Sequence, residues 1–319
     1  MNEQAETPLY LAVDGGGTKT KVLLVDAQGQ TVGEGLSGPT SLTATSIGAA
    51  SFNLNEAIRQ AIERQPESGW RIRHAVMGLA GIDVPAEKQQ AYKVFAEVTG
   101  RYPIDTFTLV NDIVIALESG TDSPNAVALI SGTGSNCFGR NDQGQTAKTS
   151  GMGYILSDQG SGYAIGLAVL QNVVKSFDGR GESTILERLT LEHFRVQQVE
   201  DLKTAVYNPV LTKTEIAALS KLCEQAFEAK DEVASAIFDE AIDELFLLVS
   251  TVVTRLGITG KHVECVLAGS ITDIEYIQDR LRQKLKTVCP QIRLVVPEHQ
   301  PVHGGVKLAL AAPTPASRL

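Results

Sequence analysis

The stretch LYLAVDGGGTKTKVLLVD, residues 9–26, decides the fold. Two runs rich in valine and leucine, Leu9–Val13 and Lys21–Asp26, flank Asp14 and three consecutive glycines. This pattern predicts two antiparallel strands joined by a tight glycine turn. A third strand is predicted at Thr31–Gly35, so the chain begins with a three-stranded meander.

A second unit of the same kind follows in the middle of the chain. The apolar run Ala126–Ser131 leads into another glycine-threonine turn. A shift of 115 residues aligns residues 17–18 with 132–133, and the same shift aligns 28–31 with 143–146 without a gap. We infer two related lobes, each beginning with a Gly/Thr hairpin.

Strands alternate with helices along the rest of the chain, which is typical of an α/β fold. Strands are predicted at Ala75–Leu79, Phe107–Val110, Val263–Leu267 and Ile292–Val296, and helices at Ile47–Arg64, Ala86–Val98, Tyr163–Phe177, Lys213–Ala229, Glu232–Leu256, Ile274–Leu285 and Gly305–Ala311. We expect an N-terminal lobe over residues 1–122 and a C-terminal lobe with helical insertions over 123–302. A helix at about 303–312 is expected to pack back on the first lobe, followed by a frayed tail.

Composition limits the partners and the compartment. The formal net charge is −9 and no cluster of Lys or Arg occurs, which argues against nucleic acid or an anionic membrane as the main partner. The first residues lack the features of a signal peptide, and no apolar stretch reaches 18 residues. The four cysteines lie far apart without a CxxC pair, as expected for reduced thiols. These features predict a cytoplasmic protein.

Several common catalytic motifs are absent from the sequence. There is no GxxxxGK[ST], HExxH or GxSxG, and the five histidines do not cluster. The dinucleotide pattern GxGxxG is approached at several glycine pairs, but each pair lacks the third glycine. Phosphate-binding-loop, zinc-protease, serine-hydrolase and Rossmann chemistries are therefore all weakly supported.

The first glycine hairpin is suited to an anion. Glycines let backbone N–H groups approach a ligand without a Cβ in the way. Thr18 and Lys19 add a hydroxyl and a cation, and Asp14 ends a buried strand, where it could hold a hydrated Mg²⁺. The second hairpin, Gly132–Gly134, offers similar donors, so the pair suggests two clamps on one polyphosphate. The alternative is a glycine-rich hairpin of solvated polar residues.

Six motifs occur in an order that resembles the BadF/BadG/BcrA/BcrD ATPase-like family, and within it the amino-sugar kinases. They are Asp14–Thr20, Val110–Asp112, Ile130–Asn136, Gly151–Gly153, Ser157–Gly162 and Ala268–Ser270. The resemblance extends from about residue 9 to 311. It implies an α/β fold with two RNase-H-like lobes of the actin/hexokinase/Hsp70 type and an interlobe cleft that holds ATP and sugar.

The resemblance also implies roles for individual residues. Asp112 would be the general base, and Asp14 would hold Mg²⁺ through water. ATP would be bound by Gly15, Gly16, Gly17, Thr18, Lys19, Gly132, Thr133, Gly134, Gly269 and Ser270. The sugar would contact Ser41, Asn111, Asp112, Ser135, Asn136, Gly151, Met152, Gly153 and Asp158. From the residues alone, Asp112 could also be the N-cap of the apolar run that follows it, and Asp158 a simple turn carboxylate.

The implied activity is the ATP- and Mg²⁺-dependent phosphorylation of the 6-hydroxyl of N-acetylglucosamine, with glucosamine as the alternative acceptor. Met152 and Tyr154 could supply an apolar contact for an acetamide methyl group. Many sugar kinases of the family have Asn where this chain has Ser41, and the animal kinases have Asp-Glu-Gly-Ser where it has Asp158–Ser161. Muramic acid derivatives as acceptors and a homodimeric state remain open.

Two other classes of protein compete with a kinase. An ATPase that activates 2-hydroxyacyl-CoA dehydratases would need paired cysteine ligands for a shared iron–sulfur cluster, and the four cysteines fall in presumed helix or strand interiors or in the second hairpin. A sugar-sensing repressor of the related ROK group would need a DNA-binding helix-turn-helix ahead of the first hairpin, where 13 residues precede Asp14. Both fit the sequence less well than a kinase.

Overall fold

The structure is a computed structural model that describes residues 6–313, so most of the expected C-terminal tail lies outside the described residues. The described chain divides into two compact units. Unit 1 comprises residues 6–122 and 297–313, and unit 2 comprises residues 123–296. None of the helices in the described chain has the length and apolar character needed to cross a membrane.

Unit 1 is built on a five-stranded sheet with the order β3-β2-β1-β4-β5. The strands are β1 (Thr7–Gly15), β2 (Thr20–Asp26), β3 (Thr31–Ser37), β4 (Trp70–Leu79) and β5 (Phe107–Asn111). The first three form the predicted antiparallel meander, whereas β4 and β5 run parallel to β1. The helices between them are α1 (Ile47–Ile62), α2 (Pro85–Thr99) and α3 (Asp112–Gly120).

One face of this sheet packs on α1 and α2. Leu11, Leu24 and Met77 from the sheet and Phe95 from α2 are fully buried in that core. Strand β3 approaches the backbone of α1 so closely that a Cβ at Gly33 would overlap the Ala61 carbonyl, as one at Gly35 would overlap Ala57. Glycine is therefore required at these two positions.

Unit 2 contains a second five-stranded sheet, with the order β10-β9-β6-β7-β8. Its strands are β6 (Ala126–Ser131), β7 (Ser135–Arg140), β8 (Thr146–Ser150), β9 (Val263–Ala268) and β10 (Ile292–Val295). Strands β6–β8 form an antiparallel meander, and β9 and β10 run parallel to β6. The sheet therefore has the same topology as the sheet of unit 1, and the predicted α/β fold class is confirmed.

Seven helices of unit 2 lie between β8 and β10: α4 (Gly162–Phe177), α5 (Leu186–Phe194), α6 (Leu202–Tyr207), α7 (Lys213–Ala218), α8 (Ser220–Glu228), α9 (Glu232–Arg255) and α10 (Glu275–Val288). The single helix predicted over 213–229 is wrong, because α7 and α8 are separated at Leu219. There the Leu219 N–H bonds to the Ile216 carbonyl, three residues back, which tightens the turn.

The last helix, α11 (Pro301–Ala311), belongs to unit 1 and packs on β1 and α3. It begins earlier than predicted because Pro301 occupies its first turn, where proline is favoured. Val302 is buried against β1 and β2, and Gly304 lets the helix approach α3, since a Cβ there would lie 2.6 Å from the Ser119 backbone nitrogen.

Candidate functional site

The predicted catalytic residues of unit 1 lie at one edge of its sheet. Strands β1, β4 and β5 are parallel, and their last residues Gly15, Leu79 and Asn111 are in register. Asp14 precedes Gly15 and Asp112 follows Asn111, so both carboxylates belong to the carboxyl edge of the sheet. Their strands are two strand spacings apart, about 10 Å.

The environment of Asp14 disfavours a negative charge on its carboxyl group that no cation balances. Its side chain is largely withdrawn from water, and this burial raises the pKa of the Asp14 carboxyl, while the Lys19 ammonium partly offsets the effect. A carboxylate that is costly to ionise alone is stabilised by a cation. The Asp14 oxygen donors therefore suit a hard divalent metal ion.

The first hairpin, Gly15–Lys19, is held by backbone hydrogen bonds at its base and is exposed to solvent at its tip. The Gly16 N–H donates to the Lys19 carbonyl at 3.0 Å, and the Gly16 carbonyl accepts from Thr40 and Ser41 at 3.2 and 3.3 Å. Gly17, Thr18 and Lys19 are exposed to solvent. The tip is thus held in one shape with its backbone accessible to a ligand.

The supporting segment 38–41 explains why this turn begins with glycine. The Thr20 hydroxyl donates to the Gly38 carbonyl at 2.7 Å and lies 3.0 Å from the Thr40 hydroxyl. A Cβ at Gly15 would overlap the same Thr40 hydroxyl. The predicted sugar residue Ser41 is buried next to Gly16, with its hydroxyl 2.9 Å from that of Thr43. Sequence reasoning missed Thr40, because its role is visible only through contacts with distant residues.

At the end of β5, Asn111 and Asp112 have different roles. The Asn111 side-chain oxygen accepts the Ile113 N–H at 3.2 Å, so Asn111 is the N-cap of α3 and Asp112 is its first residue. The N-cap alternative for Asp112 is therefore wrong, because Asn111 is the residue that caps α3. The Asn111 amide nitrogen donates to Asp83 at 3.1 Å. Asp83 lies in the loop after β4 and was missed by sequence reasoning.

The predicted phosphate residues of unit 2 come together around the second hairpin. The Gly132 N–H donates to the Gly134 carbonyl at 3.0 Å, and the Gly132 carbonyl accepts from Gly162, the first residue of α4, at 2.7 Å. Gly269 has a φ of +101°, and a Cβ there would lie 2.9 Å from the Gly132 nitrogen. Ser270 and Thr133 are exposed beside this contact. Gly132–Gly134, Gly269 and Ser270 therefore form one surface.

The predicted sugar residues of unit 2 lie on strand β7 and on the loop that follows β8, which we call loop 150–160. Five residues of this loop have a positive φ: Ser150, Gly151, Gly153, Asp158 and Gly160. Two of them are not glycine, a feature that occurs preferentially at functional sites. The Ser150 hydroxyl donates to the Ser135 carbonyl at 2.9 Å, and Asn136 is in register with Ser150, so the loop is tied to the start of β7.

Met152 and Asp158 occupy opposite environments in loop 150–160. Met152 is exposed, and its N–H donates to the Ser157 hydroxyl at 2.9 Å. Asp158 is only 4% exposed. Its Oδ1 accepts the Ser135 N–H at 3.2 Å, and its Oδ2 lies 2.7 Å from the Lys213 ammonium. Asp158 is therefore a buried, ion-paired carboxylate rather than a simple turn residue. Lys213 was missed, because the sequence around it reads as an ordinary amphipathic helix.

Comparison with known proteins identifies the family of the chain. The model of the BadF/BadG/BcrA/BcrD ATPase family matches residues 11–309. An N-acetylmuramic acid/N-acetylglucosamine kinase of Clostridium acetobutylicum is 33% identical over 300 residues, which cover 94% of this chain and 97% of that protein. An N-acetyl-D-glucosamine kinase of Dictyostelium discoideum is 28% identical, covering 95% and 98% of the two chains.

A solved structure shows the same fold. The candidate N-acetylglucosamine kinase of Chromobacterium violaceum superposes with a TM-score of 0.72 at 19% sequence identity. The match covers 96% of this chain and 99% of that chain. The likeness therefore extends over both units and the helical insertions of unit 2.

Proposed function

Because the chain belongs to the BadF/BadG/BcrA/BcrD ATPase family, we propose that it is an ATP-dependent kinase that phosphorylates the 6-hydroxyl of N-acetylglucosamine. The observation that carries the proposal is the carboxyl edge of the unit 1 sheet. There Asp14, which is suited to a cation, an exposed glycine hairpin and a second carboxylate, Asp112, lie at strand ends that are in register. The names of the two curated relatives support an amino sugar as acceptor.

Backbone donors of both hairpins bind the ATP phosphates in this proposal. The tip Gly17–Lys19 offers exposed backbone, a hydroxyl and an ammonium group. Gly132–Gly134 offers a second glycine-rich turn beside Gly269 and Ser270. In this proposal Gly269 and Ser270 contact the adenosine. Such turns bind anions because several N–H groups converge on one oxygen without a side chain in between.

Asp14 holds Mg²⁺, through water, in the same proposal. The fit is supported by its burial and by the raised pKa of its carboxyl, both of which favour a compensating cation. When bound, the ion neutralises charge on the phosphate oxygens during transfer.

Asp112 acts on the acceptor. Its carboxylate accepts a hydrogen bond from the sugar 6-hydroxyl and aims that oxygen at the γ-phosphorus of ATP. It takes the hydroxyl proton as the new oxygen–phosphorus bond forms and the bond from the γ-phosphorus to the departing ADP breaks. The position favours the ionised form, since Asp112 is the first residue of α3 and the N-terminus of a helix stabilises negative charge. Asn111 caps the helix and thereby keeps the backbone of Asp112 fixed.

Loop 150–160 and the start of β7 hold the rest of the sugar, together with Ser41 and Asn111 of unit 1. The exposed side chains of Met152 and Tyr154 provide an apolar surface suited to an acetamide methyl group. A glucosamine site would instead need a carboxylate or carbonyl near the amine. N-acetylglucosamine is therefore the preferred acceptor in this proposal.

The alternative of a dehydratase activator is disfavoured by the cysteines. All four thiols are buried in unit 2, and burial raises the pKa of Cys223 and of Cys265 to about 12. A cluster ligand must be a thiolate that a partner chain can approach. The same four unpaired thiols support a reducing, cytoplasmic location.

A coupled ADP-release assay tests the proposal. N-acetylglucosamine, N-acetylmuramic acid, glucosamine and glucose are supplied in turn with ATP and Mg²⁺, and product is identified as the 6-phosphate by NMR. We expect the highest kcat/KM with N-acetylglucosamine and loss of turnover when Mg²⁺ is chelated. ADP release that no sugar stimulates would contradict a sugar kinase.

A further inference from the structure

We infer that Lys213 is a positioning residue for the acceptor-binding face of unit 2, which consists of loop 150–160 and the start of β7. Lys213 maintains the shape of this face through Asp158. This inference rests on the proposed function, because it assigns Lys213 to the sugar side of that reaction. The role is distinct from those of the proposed base and of the phosphate-binding turns. It follows from three sets of contacts around the Lys213–Asp158 ion pair.

The first set joins the ion pair to the start of β7. Lys213 Nζ lies 2.7 Å from Asp158 Oδ2, while Asp158 Oδ1 accepts the Ser135 N–H at 3.2 Å. The Ser135 hydroxyl donates to the Gln159 carbonyl at 2.6 Å. Lys213 therefore fixes one carboxylate oxygen and leaves the other directed at the backbone of a predicted sugar residue.

The second set joins the ion pair to loop 150–160. The Asp158 N–H donates to the Ser150 hydroxyl at 3.3 Å, and that hydroxyl donates to the Ser135 carbonyl at 2.9 Å. The Lys213 ammonium also lies 5.9 Å from the centre of the Tyr154 ring, within range of a cation–π interaction. One cation thus contacts both the buried end of the loop and the aromatic ring beside Met152.

The third set places the pair under the second hairpin. A Cβ at Gly134 would lie 2.8 Å from Asp158 Oδ2 and 2.9 Å from Lys213 Nζ. Gly134 is thus the residue that lets the pair fit. Without Lys213, a nearly buried carboxylate would be left uncompensated at this point, and such a group forces its surroundings to rearrange. We therefore expect loss of Lys213 to disorder the acceptor-binding face.

The test compares Lys213→Met, which keeps length and removes charge, with Lys213→Arg, which keeps the charge. Lys286→Met serves as the matched control, since Lys286 is an exposed lysine in the last turn of α10. KM for sugar, KM for ATP and kcat are measured for each variant. For Lys213→Met we expect the sugar KM to rise about tenfold, within the range of coupling between contacting residues. The ATP KM should change less than about twofold, and Lys213→Arg should recover most of the sugar KM.

A double variant separates positioning from general destabilisation. In Lys213→Met/Asp158→Asn the uncompensated charge is gone, so its melting temperature should exceed that of Lys213→Met. Its sugar KM should remain high, because the neutral amide introduced by Asp158→Asn cannot reproduce the anchored carboxylate. If Lys213→Met does not fold, Lys213→Arg and the double variant carry the test.

Hydrogen exchange of the ligand-free protein provides a readout independent of turnover. We expect faster exchange confined to loop 150–160 and the Ser135 amide in Lys213→Met. A sugar KM within about twofold of wild type in a folded Lys213→Met protein, or an equal rise in the ATP KM, would overturn the inference. Absence of sugar-dependent turnover in the wild type would instead refute the proposed function, and unchanged exchange would refute the positioning role by itself.

Discussion

Replacing Asp112 by Asn separates catalysis from structure at the end of β5. The substitution preserves the shape of the side chain and removes its basicity. Asn111, not Asp112, caps α3, with its side-chain oxygen 3.2 Å from the Ile113 nitrogen. Asp112→Asn therefore leaves the cap in place, and any large effect on turnover must come from the lost carboxylate.

The magnitude follows from the two roles. Loss of a general base typically lowers kcat by 10²–10⁴, about 3–5 kcal/mol of barrier. The stability effect of removing the charge is that of a favourable charge in the first turn of a helix, roughly 0.3–1 kcal/mol. In a unit of this size that corresponds to a decrease in Tm of about 1–4 °C. Turnover should thus fall steeply while the fold is retained.

Steady-state kcat at saturating ATP and N-acetylglucosamine, calorimetric ATP affinity and thermal melting together check this prediction. Asn111→Ala is the matched control, because it removes the helix cap, which should cost about 1 kcal/mol of stability. It also removes the hydrogen bond to Asp83. We expect it to lower Tm more than Asp112→Asn does, whereas Asp112→Asn should lower kcat more.

The reasoning is refuted if Asp112→Asn keeps more than about a third of wild-type turnover, where a loss of at least about 10² is expected. It also fails if this variant unfolds more readily than Asn111→Ala. The base would then be sought at Asp83, in the loop after the neighbouring strand β4. Asp158 is a poor substitute, because both of its oxygens are engaged and its side chain is only 6% exposed.

Four further predictions concern the two hairpins, Asp14 and the acceptor. Gly17→Val should fold, because a Cβ there would lie 3.4 Å from the nearest atom, Ala44 Cβ. The variant should nevertheless lose ATP binding, as measured by calorimetry, and a normal ATP affinity would contradict the hairpin assignment. Thr133→Ala should lower kcat while the sugar KM stays nearly unchanged. Burial raises the pKa of the Asp14 carboxyl above 3.8, so the folded protein binds that proton more tightly than the unfolded chain does. The free energy of unfolding therefore falls as the pH rises from the pKa of the unfolded chain through the pKa of the folded protein. Asp14→Asn should therefore melt no lower than wild type at pH 7 while losing Mg²⁺-dependent turnover, and a markedly lower Tm would contradict this account. The value of kcat/KM should be higher for N-acetylglucosamine than for glucosamine; the reverse order would show that Met152 does not serve an acetamide.

The sequence was sufficient for the strands and for the residues at their ends. Glycine turns between short runs of valine and leucine located both meanders, because such patterns report burial and backbone conformation locally. Asp14 was recognisable as a strand-end carboxylate for the same reason. The family resemblance was confirmed and supplied the order of the remaining motifs.

Residues that act through tertiary contacts were not predictable in the same way. Asp83 meets Asn111 across 28 residues of chain, and Lys213 meets Asp158 across 55. Neither contact leaves a local pattern. The sequence also could not show whether Asn111 or Asp112 caps α3, because Asn and Asp are equally good N-caps. The point at which β5 ends and α3 begins decides between these two adjacent residues.

The two sheets share one topology, and their corresponding loops share a backbone feature. The loop after β4 contains Gly81 with a φ of +76°, and the loop after β9 contains Gly269 with a φ of +101°. Gly81 lies against Ser41, the support of the first hairpin, and Gly269 lies against Gly132 of the second. The duplication detected at the hairpins therefore extends to the loops that pack beside them.

The chemistry at the two carboxyl edges nevertheless differs. The edge of unit 1 carries Asp14, Asp83 and Asp112, whereas the strands of unit 2 end in Ser131, Ala268 and Val295. In the proposed function, the carboxylates of unit 1 serve a cation and a proton transfer, whereas the turns of unit 2 supply neutral hydrogen-bond donors.

Asp158 is the exception, because it lies next to Gly134 of the second hairpin. Its charge is balanced by the Lys213 ammonium at 2.7 Å, and its other oxygen is occupied by the Ser135 N–H. The pair as a whole is neutral, and it connects the start of β7 to loop 150–160. The balanced charge explains why an acidic residue is tolerated in this buried position. It also explains why removing the lysine alone should lower the melting temperature more than removing both charges.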